Sequence, residues 1–233
     1  MARTFSYPKN ETELRQLLVA LFDNAKRGKE SGKTTWFYSL LEIVSSETVI
    51  LSAIHNIKSN HGSQTAGVDE KTMQDDYLQQ DYESVIKEIQ SSFRNNDYHP
   101  HLIRRVWIPK PNTNEKRPLG IPTVRDRIMQ ECIRITIEPI LEAQFFKHSY
   151  GFRPWRDTKM ALERVNQVIH KTGYHWVIEG DISKFFDTVD HNVLLKRLWQ
   201  MGIRDRRLLK QGLWMKCGQT PSVLHKRVFY LPY

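Results

Sequence analysis

Apolar residues recur at helical spacing through most of this chain, and the repeats divide it into successive helices. Over residues 10–27, Leu14, Leu17, Leu18, Leu21 and Phe22 fall on one stripe, with Asn10 or Thr12 placed to cap it and Gly28 to end it. Residues 36–44 and 46–58 read as a second and a third helix, the latter through Val49, Ile50, Ala53, Ile54 and Ile57. A polar loop punctuated by Gly62 and Gly67 follows at 60–69, where glycine permits unusual backbone angles or a close approach of another backbone. Val85, Ile86, Ile89 and Phe93 mark a helix over 81–94, and Val124, Ile128, Cys132 and Ile135 another over 124–141, whose C-terminal end Pro139 should disturb. Further helices are expected over 157–170, 192–200 and 205–215, and no period is visible over 217–233.

Two stretches break this rhythm. Residues 102–109 and 116–122 read as strands joined by turn chemistry, and Pro109, Pro111, Pro118 and Pro122 forbid a helix there. Two strands bury little by themselves, so this hairpin should project. Its Lys110, Lys116 and Arg117 suit either a phosphate-facing arm or an edge guarded against aggregation. The second stretch, Trp176-Val177-Ile178-Glu179-Gly180-Asp181, reads as a short buried strand that delivers Asp181 to the rim of a sheet. Helices around a small antiparallel sheet make the expected class α+β, helix-rich, with a projecting hairpin.

Composition adds a partner to this outline. Lys and Arg number 35 against 26 Asp and Glu, giving a net charge of +9 and a pI near 9.5. The excess is concentrated: residues 100–160 hold 12 basic residues against 6 acidic ones. Such a surface is what a polyanion would meet. No stretch approaches the roughly 18 apolar residues of a membrane span, and the N-terminus lacks an apolar signal core. Cys132 and Cys217 show no metal-ligand spacing and suit a reducing compartment, so a cytoplasmic location is expected.

Asp181 admits a specific chemistry. Paired Mg²⁺ ions in phosphoryl transfer are held by carboxylates, and a strand-end aspartate with the Ile182 carbonyl could supply part of one set. Phe186, on the next turn, could pack against a sugar. The competing reading makes Asp181 a helix cap and Phe185 and Phe186 core. Ser149-Tyr150-Gly151-Phe152-Arg153-Pro154-Trp155-Arg156 is aromatic and basic, suited either to stacking on nucleotides or to packing as a surface loop.

Four segments occur in a telling order: Arg105-Val106-Trp107-Ile108-Pro109-Lys110-Pro111, Arg117-Pro118-Leu119-Gly120-Ile121-Pro122-Thr123, Ser149-Tyr150-Gly151-Phe152-Arg153-Pro154, and Asp181-Ile182-Ser183-Lys184-Phe185-Phe186-Asp187. They resemble the successive N-terminal blocks of reverse transcriptases, in particular the group II intron-encoded reverse transcriptase/maturase family. Gly62-Ser63-Gln64-Thr65-Ala66-Gly67-Val68-Asp69 resembles that subgroup's additional N-terminal block. The resemblance implies right-hand polymerase fingers and a partial palm. Residues 1–75 would be a helical extension with the extra block, 76–165 the fingers, and 166–233 the partial palm.

By the same resemblance, Asp181 is the first catalytic, Mg²⁺-binding aspartate, with the Ile182 carbonyl beside it. Lys110 and Arg117 grip the incoming dNTP triphosphate, and Phe186 excludes ribonucleotides. Arg104, Arg105, Arg125, Arg153 and Arg156, with Ser63 and Thr65, are expected to contact RNA. Group II intron RNA and a template-primer are the implied partners. The family's Tyr-x-Asp-Asp hairpin and its preceding Pro-Gln-Gly-Gly segment do not occur here. The chain is therefore expected to stop midway through the palm and to be inactive alone as an RNA-directed DNA polymerase. The alternative is a non-catalytic, maturase-type RNA-binding module. A homodimer is a further expectation, because a cut palm exposes a sheet edge and apolar surface.

Overall fold

A computed structural model describes residues 7–79, 81–95, 98–109, 111, 114–174, 176–182 and 185–214. The chain opens with α1 (Glu11–Glu30), whose N-cap Asn10 accepts a hydrogen bond from the Glu13 amide at 2.9 Å. Gly28, expected to end this helix, lies inside it: Lys29 and Glu30 extend the helix and Ser31 caps it. The second helix is also shorter at its start than the pattern suggested. Trp36 and Phe37 are outside α2 (Leu40–Val44), because Phe37 pairs its backbone with Ile203 instead.

Then come α3 (Glu47–Ser59), a turn of 3₁₀ helix (His61–Gln64), one π-helical turn (Met73–Tyr77) and α4 (Tyr82–Arg94). The hairpin forms as expected from β1 (Arg104–Pro109) and β2 (Lys116–Ile121), antiparallel. It leads directly into α5 (Val124–Glu142), which runs through Pro139 for three more residues. After an irregular loop follow α6 (Thr158–Thr172), the single turn α7 (Phe185–Thr188), α8 (His191–Gln200) and α9 (Arg206–Trp214). The class is α+β: helix-rich, with a two-stranded antiparallel sheet among the described residues.

Helix α5 is the hub. It packs against α1, α2, α3 and α9, and Val124, Ile128, Met129, Cys132, Ile133 and Ile140 on it are buried. One cluster of buried side chains takes in Leu14 and Leu21 of α1, these residues of α5, Ile89 and Phe93 of α4, and Leu198 and Leu208 of α8 and α9. Each buried Leu, Ile or Phe contributes on the order of 1.5–3 kcal/mol. Burial also pushes the Cys132 thiol well above its ordinary pKa, so it acts here as a small apolar group.

The run 176–181 departs from expectation. No strand forms there, and Trp176 and Ile178 are 94% and 98% exposed. A strand needs a neighbour for its ladder, and among the described residues only β1 and β2 pair as strands. Helix α6 shares this condition: it forms, capped by Asp157 and by Gly173, yet buries no residue.

Candidate nucleic-acid interface

Side chains directly opposite in an antiparallel pair point to the same face. In the register Arg104↔Ile121, Val106↔Leu119, Ile108↔Arg117, one face of the hairpin carries Arg104 and Arg117 at its two ends with apolar residues between. They stand roughly 14 Å apart along the strands at about 3.4 Å per residue. The other face carries Arg105, Trp107 and Lys116. Arg104, Arg117, Lys116 and Trp107 are all exposed. Both faces of the arm thus combine cations with apolar or aromatic surface. Lys110 lies outside the described residues.

The base of the arm is tied down by one carboxylate and one guanidinium. Thr123 caps α5, its hydroxyl accepting from the Asp126 amide at 3.2 Å. Asp126, buried, accepts from the Tyr98 hydroxyl at 2.6 Å and the His101 amide at 3.0 Å. This fixes the chain entering β1 to the helix leaving β2. Burial, with the Asp126 charge beside it, pushes the Tyr98 phenol well above its usual pKa.

Arg127 holds the 60–69 loop to the same helix end. Its guanidinium donates to the Gly62 carbonyl at 2.7 Å and to the Thr65 carbonyl. Burial lowers its pKa while Asp69 acts in the opposite direction. Gly67 completes the contact, since a Cβ there would stand 2.7 Å from the Thr123 Cα. Ser63 and Thr65 are half-buried on this strapped loop, next to the hairpin's base. The structure therefore brings Arg104, Arg105, Ser63 and Thr65 to one end of α5, with Arg117 farther out along the arm.

Other expected contacts are spent internally. Arg125 donates to Glu88 at 3.0 Å and Ser92 at 2.8 Å and lies over the Tyr98 ring, joining α5 to α4. Arg153, read from sequence as a nucleic-acid contact, is buried: it grips Glu142 at 2.9 Å and donates to the Phe146 and Ser149 carbonyls at 2.8 and 2.9 Å. Its effect is to anchor a loop on which Phe152 and Trp155 hold left-handed φ angles of 57° and 60° and point into solvent, Trp155 at 96% exposure. Arg156 donates to the Lys147 carbonyl at 2.7 Å and lies over Tyr150. Because Glu142 ends α5, this loop sits about 28 Å from the hairpin base, at 1.5 Å rise per residue.

Asp181 and Ile182 are exposed on the unpaired run, and the backbone of Phe186 lies in α7. Among the described residues no group of three His, Cys, Asp or Glu side chains could hold a metal ion. These residues do not by themselves fit a two-Mg²⁺ centre. Nor, among them, is any helix long and apolar enough to cross a membrane. Sequence reasoning missed Asp126 and Arg127, which carry no signal beyond charge on a helix.

Residues 108–230 match the family model described as reverse transcriptase (RNA-dependent DNA polymerase). The group II intron-encoded protein LtrA of Lactococcus lactis subsp. cremoris is 33% identical over 190 residues, which is 82% of this chain and 30% of that protein. Protein YkfC of Escherichia coli (strain K12) is 38% identical over 175 residues, covering 73% of this chain and 44% of its own length. The nuclear intron maturase 1, mitochondrial, of Arabidopsis thaliana is 34% identical over 88 residues, 38% of this chain and 12% of that protein. The chain thus spans less than half the length of these relatives.

Proposed function

Since the chain belongs to the reverse transcriptase (RNA-dependent DNA polymerase) family, in its group II intron-encoded reverse transcriptase/maturase branch, we propose that it supplies the fingers and part of the palm of an RNA-directed DNA polymerase that also binds intron RNA. In this reading residues 1–75 form the helical extension, 76–165 the fingers and 166–233 the partial palm. The observation that carries it is the hairpin with Arg104 and Arg117 on one exposed face, tied at its base to the Ser63–Thr65 loop. Guanidinium groups match phosphate oxygens in geometry and charge, so Arg117, with Lys110, would hold a dNTP triphosphate. Arg104, Arg105, Ser63 and Thr65 would face RNA or template-primer. Asp181 and the Ile182 carbonyl would give one part of a Mg²⁺ site that further carboxylates complete, and Phe186 would sense the sugar.

RNA binding should weaken steeply with salt, log K falling by about 0.7 per neutralised phosphate on a single strand. Arg104→Gln and Arg105→Gln should each reduce that slope by about one contact's worth. A salt-independent affinity, or slopes unchanged in both variants, overturns the interface. Primer extension by the 233-residue chain with Mg²⁺ and dNTPs should stay at background, because one carboxylate does not hold two ions; robust extension would overturn that part. The similarity to a protein named as an intron maturase favours a second reading, RNA binding without polymerisation. RNA binding with no triphosphate binding is its signature.

A further inference from the structure

A second aromatic and basic cluster lies at the other end of α5. Phe37 and Ile203 form a parallel bridge: the Phe37 amide donates to the Gly202 carbonyl at 2.8 Å, and the Arg204 amide to the Phe37 carbonyl at 2.9 Å. Phe37 and Ile203 are buried, so alternation along each short segment puts Trp36 and Arg204 together on the opposite side, Trp36 exposed and Arg204 half-buried with its Nε enclosed. Gly202 makes the clasp possible, with φ at +97° and space for no Cβ, which would fall 2.0 Å from the Thr35 carbonyl oxygen.

The result is a run of alternating rings and cations. The Arg204 guanidinium carbon stands 5.0 Å from the Trp36 ring centre and 4.4 Å from that of Trp199, and Arg206 lies 5.6 Å from Trp199. Trp36 remains 55% exposed and Arg206 is exposed. An apolar core contact would have buried the indole; here it is pinned by its neighbour and displayed. The charge around it is one-sided. Residues 190–210 hold Lys196, Arg197, Arg204, Arg206, Arg207 and Lys210 against Asp190 and Asp205. Both of those carboxylates are occupied as helix caps, Arg207 is ion-paired with Glu42, and Arg197 donates to Gln200 at 3.3 Å.

We propose that the Trp36–Arg204–Trp199–Arg206 cluster is a stacking platform for single-stranded RNA, separate from the hairpin interface. The pinned and exposed Trp36 offers a flat face to a base of any sequence, the half-buried Trp199 holds Arg204 and Arg206 in place, and the surrounding cations track the phosphates. Its position supports a strand rather than a point contact. Gln144, just past α5, donates to the Met201 carbonyl at 2.8 Å, so the cluster adjoins the same helix end as the loop displaying Phe152 and Trp155. A strand of RNA supplies both a phosphate for each cation and a base for the Trp36 ring at a regular spacing, which is why RNA is the better fit.

The test uses the 233-residue chain and a single-stranded oligo(U) carrying 4-thiouridine, with cross-linked peptides identified by mass spectrometry. Cross-links are expected on peptides containing Trp36 and Trp199. Trp36→Leu should weaken binding at least about fivefold, the low end for one base–aromatic stack, and Trp36→Phe should restore most of it. Arg206→Gln, at an exposed position where substitutions usually change stability by no more than about 0.5 kcal/mol, should weaken binding too. Cross-links confined to residues 104–121, or affinities of Trp36→Leu and Arg206→Gln within twofold of the parent, would overturn the proposal. So would displacement of the oligonucleotide by polyglutamate as effectively as by unlabelled RNA. Failure of the hairpin interface would show instead in the Arg104→Gln and Arg105→Gln variants, so the two outcomes stay distinct.

Discussion

Helices α4 and α6 are patterned alike and end up differently. Both are capped by an aspartate, Asp81 and Asp157, and both carry apolar residues at helical spacing. In α4, Val85, Ile86, Ile89 and Phe93 are buried, and Gln211 of α9 donates to the Phe93 carbonyl at 2.8 Å. In α6, Leu162 and Val165 remain exposed, and the run 176–182 that follows is exposed as well. Periodicity states which side of a helix seeks a neighbour; it does not supply the neighbour. Helix α6 stands on local terms, its two caps and fifteen residues, near the length at which isolated helices become viable.

The largest expected contrast is therefore in truncation. Phe93→Ala should cost about 3–5 kcal/mol, whereas Leu162→Ala should cost less than about 0.5 kcal/mol, both read by urea unfolding. A comparable cost at Leu162 would break the comparison by showing that α6 packs in solution. Next comes one substitution made in both regions. Asp126→Asn puts an amide donor beside the His101 amide inside the protein and should cost about 1–3 kcal/mol. Asp157→Asn should be neutral, because asparagine caps as well as aspartate.

The smallest effect is a pH dependence confined to the packed region. The folded state keeps the Tyr98 proton at pH values where the unfolded chain has lost it, and burial moves Tyr77 the same way. Stability should hold below about pH 10, the ordinary tyrosine value, and then fall by up to about 1.4 kcal/mol per pH unit for Tyr98. Tyr98→Phe should remove its share of that slope and leave the Tyr77 share. An unfolding free energy flat through the alkaline range would contradict the burial described for both rings.

Legibility followed the same division. Helices with a clear stripe and a cap, such as α3 and α4, emerged from sequence within a residue or two, as did the proline-marked hairpin. Trp36 and Phe37 misled because they continue an apolar run while the Phe37 backbone is claimed by residues over 160 positions away, an interaction with no local trace. Trp176–Ile178 misled for the opposite reason: apolar content suggested a buried strand where no described ladder partner exists. Arg153 has the composition of a phosphate contact, and only its distance to Glu142 reveals an anchor. Four ordered motifs reached the family, but not which arginines face outward.

The clasp between residues 37–41 and 202–205 has a consequence in time. Asp205 accepts a hydrogen bond from the Leu41 amide across 164 residues, and Phe37 exchanges backbone bonds with Gly202 and Arg204. At a synthesis rate of about 5–20 residues per second, Phe37 and Leu41 wait roughly 8–33 s for these partners to be made. During that interval α1 and α3 can dock on α5 while the segment between them stays open. The nascent chain thus carries an apolar stretch that a chaperone could occupy until α8 and α9 arrive and close it.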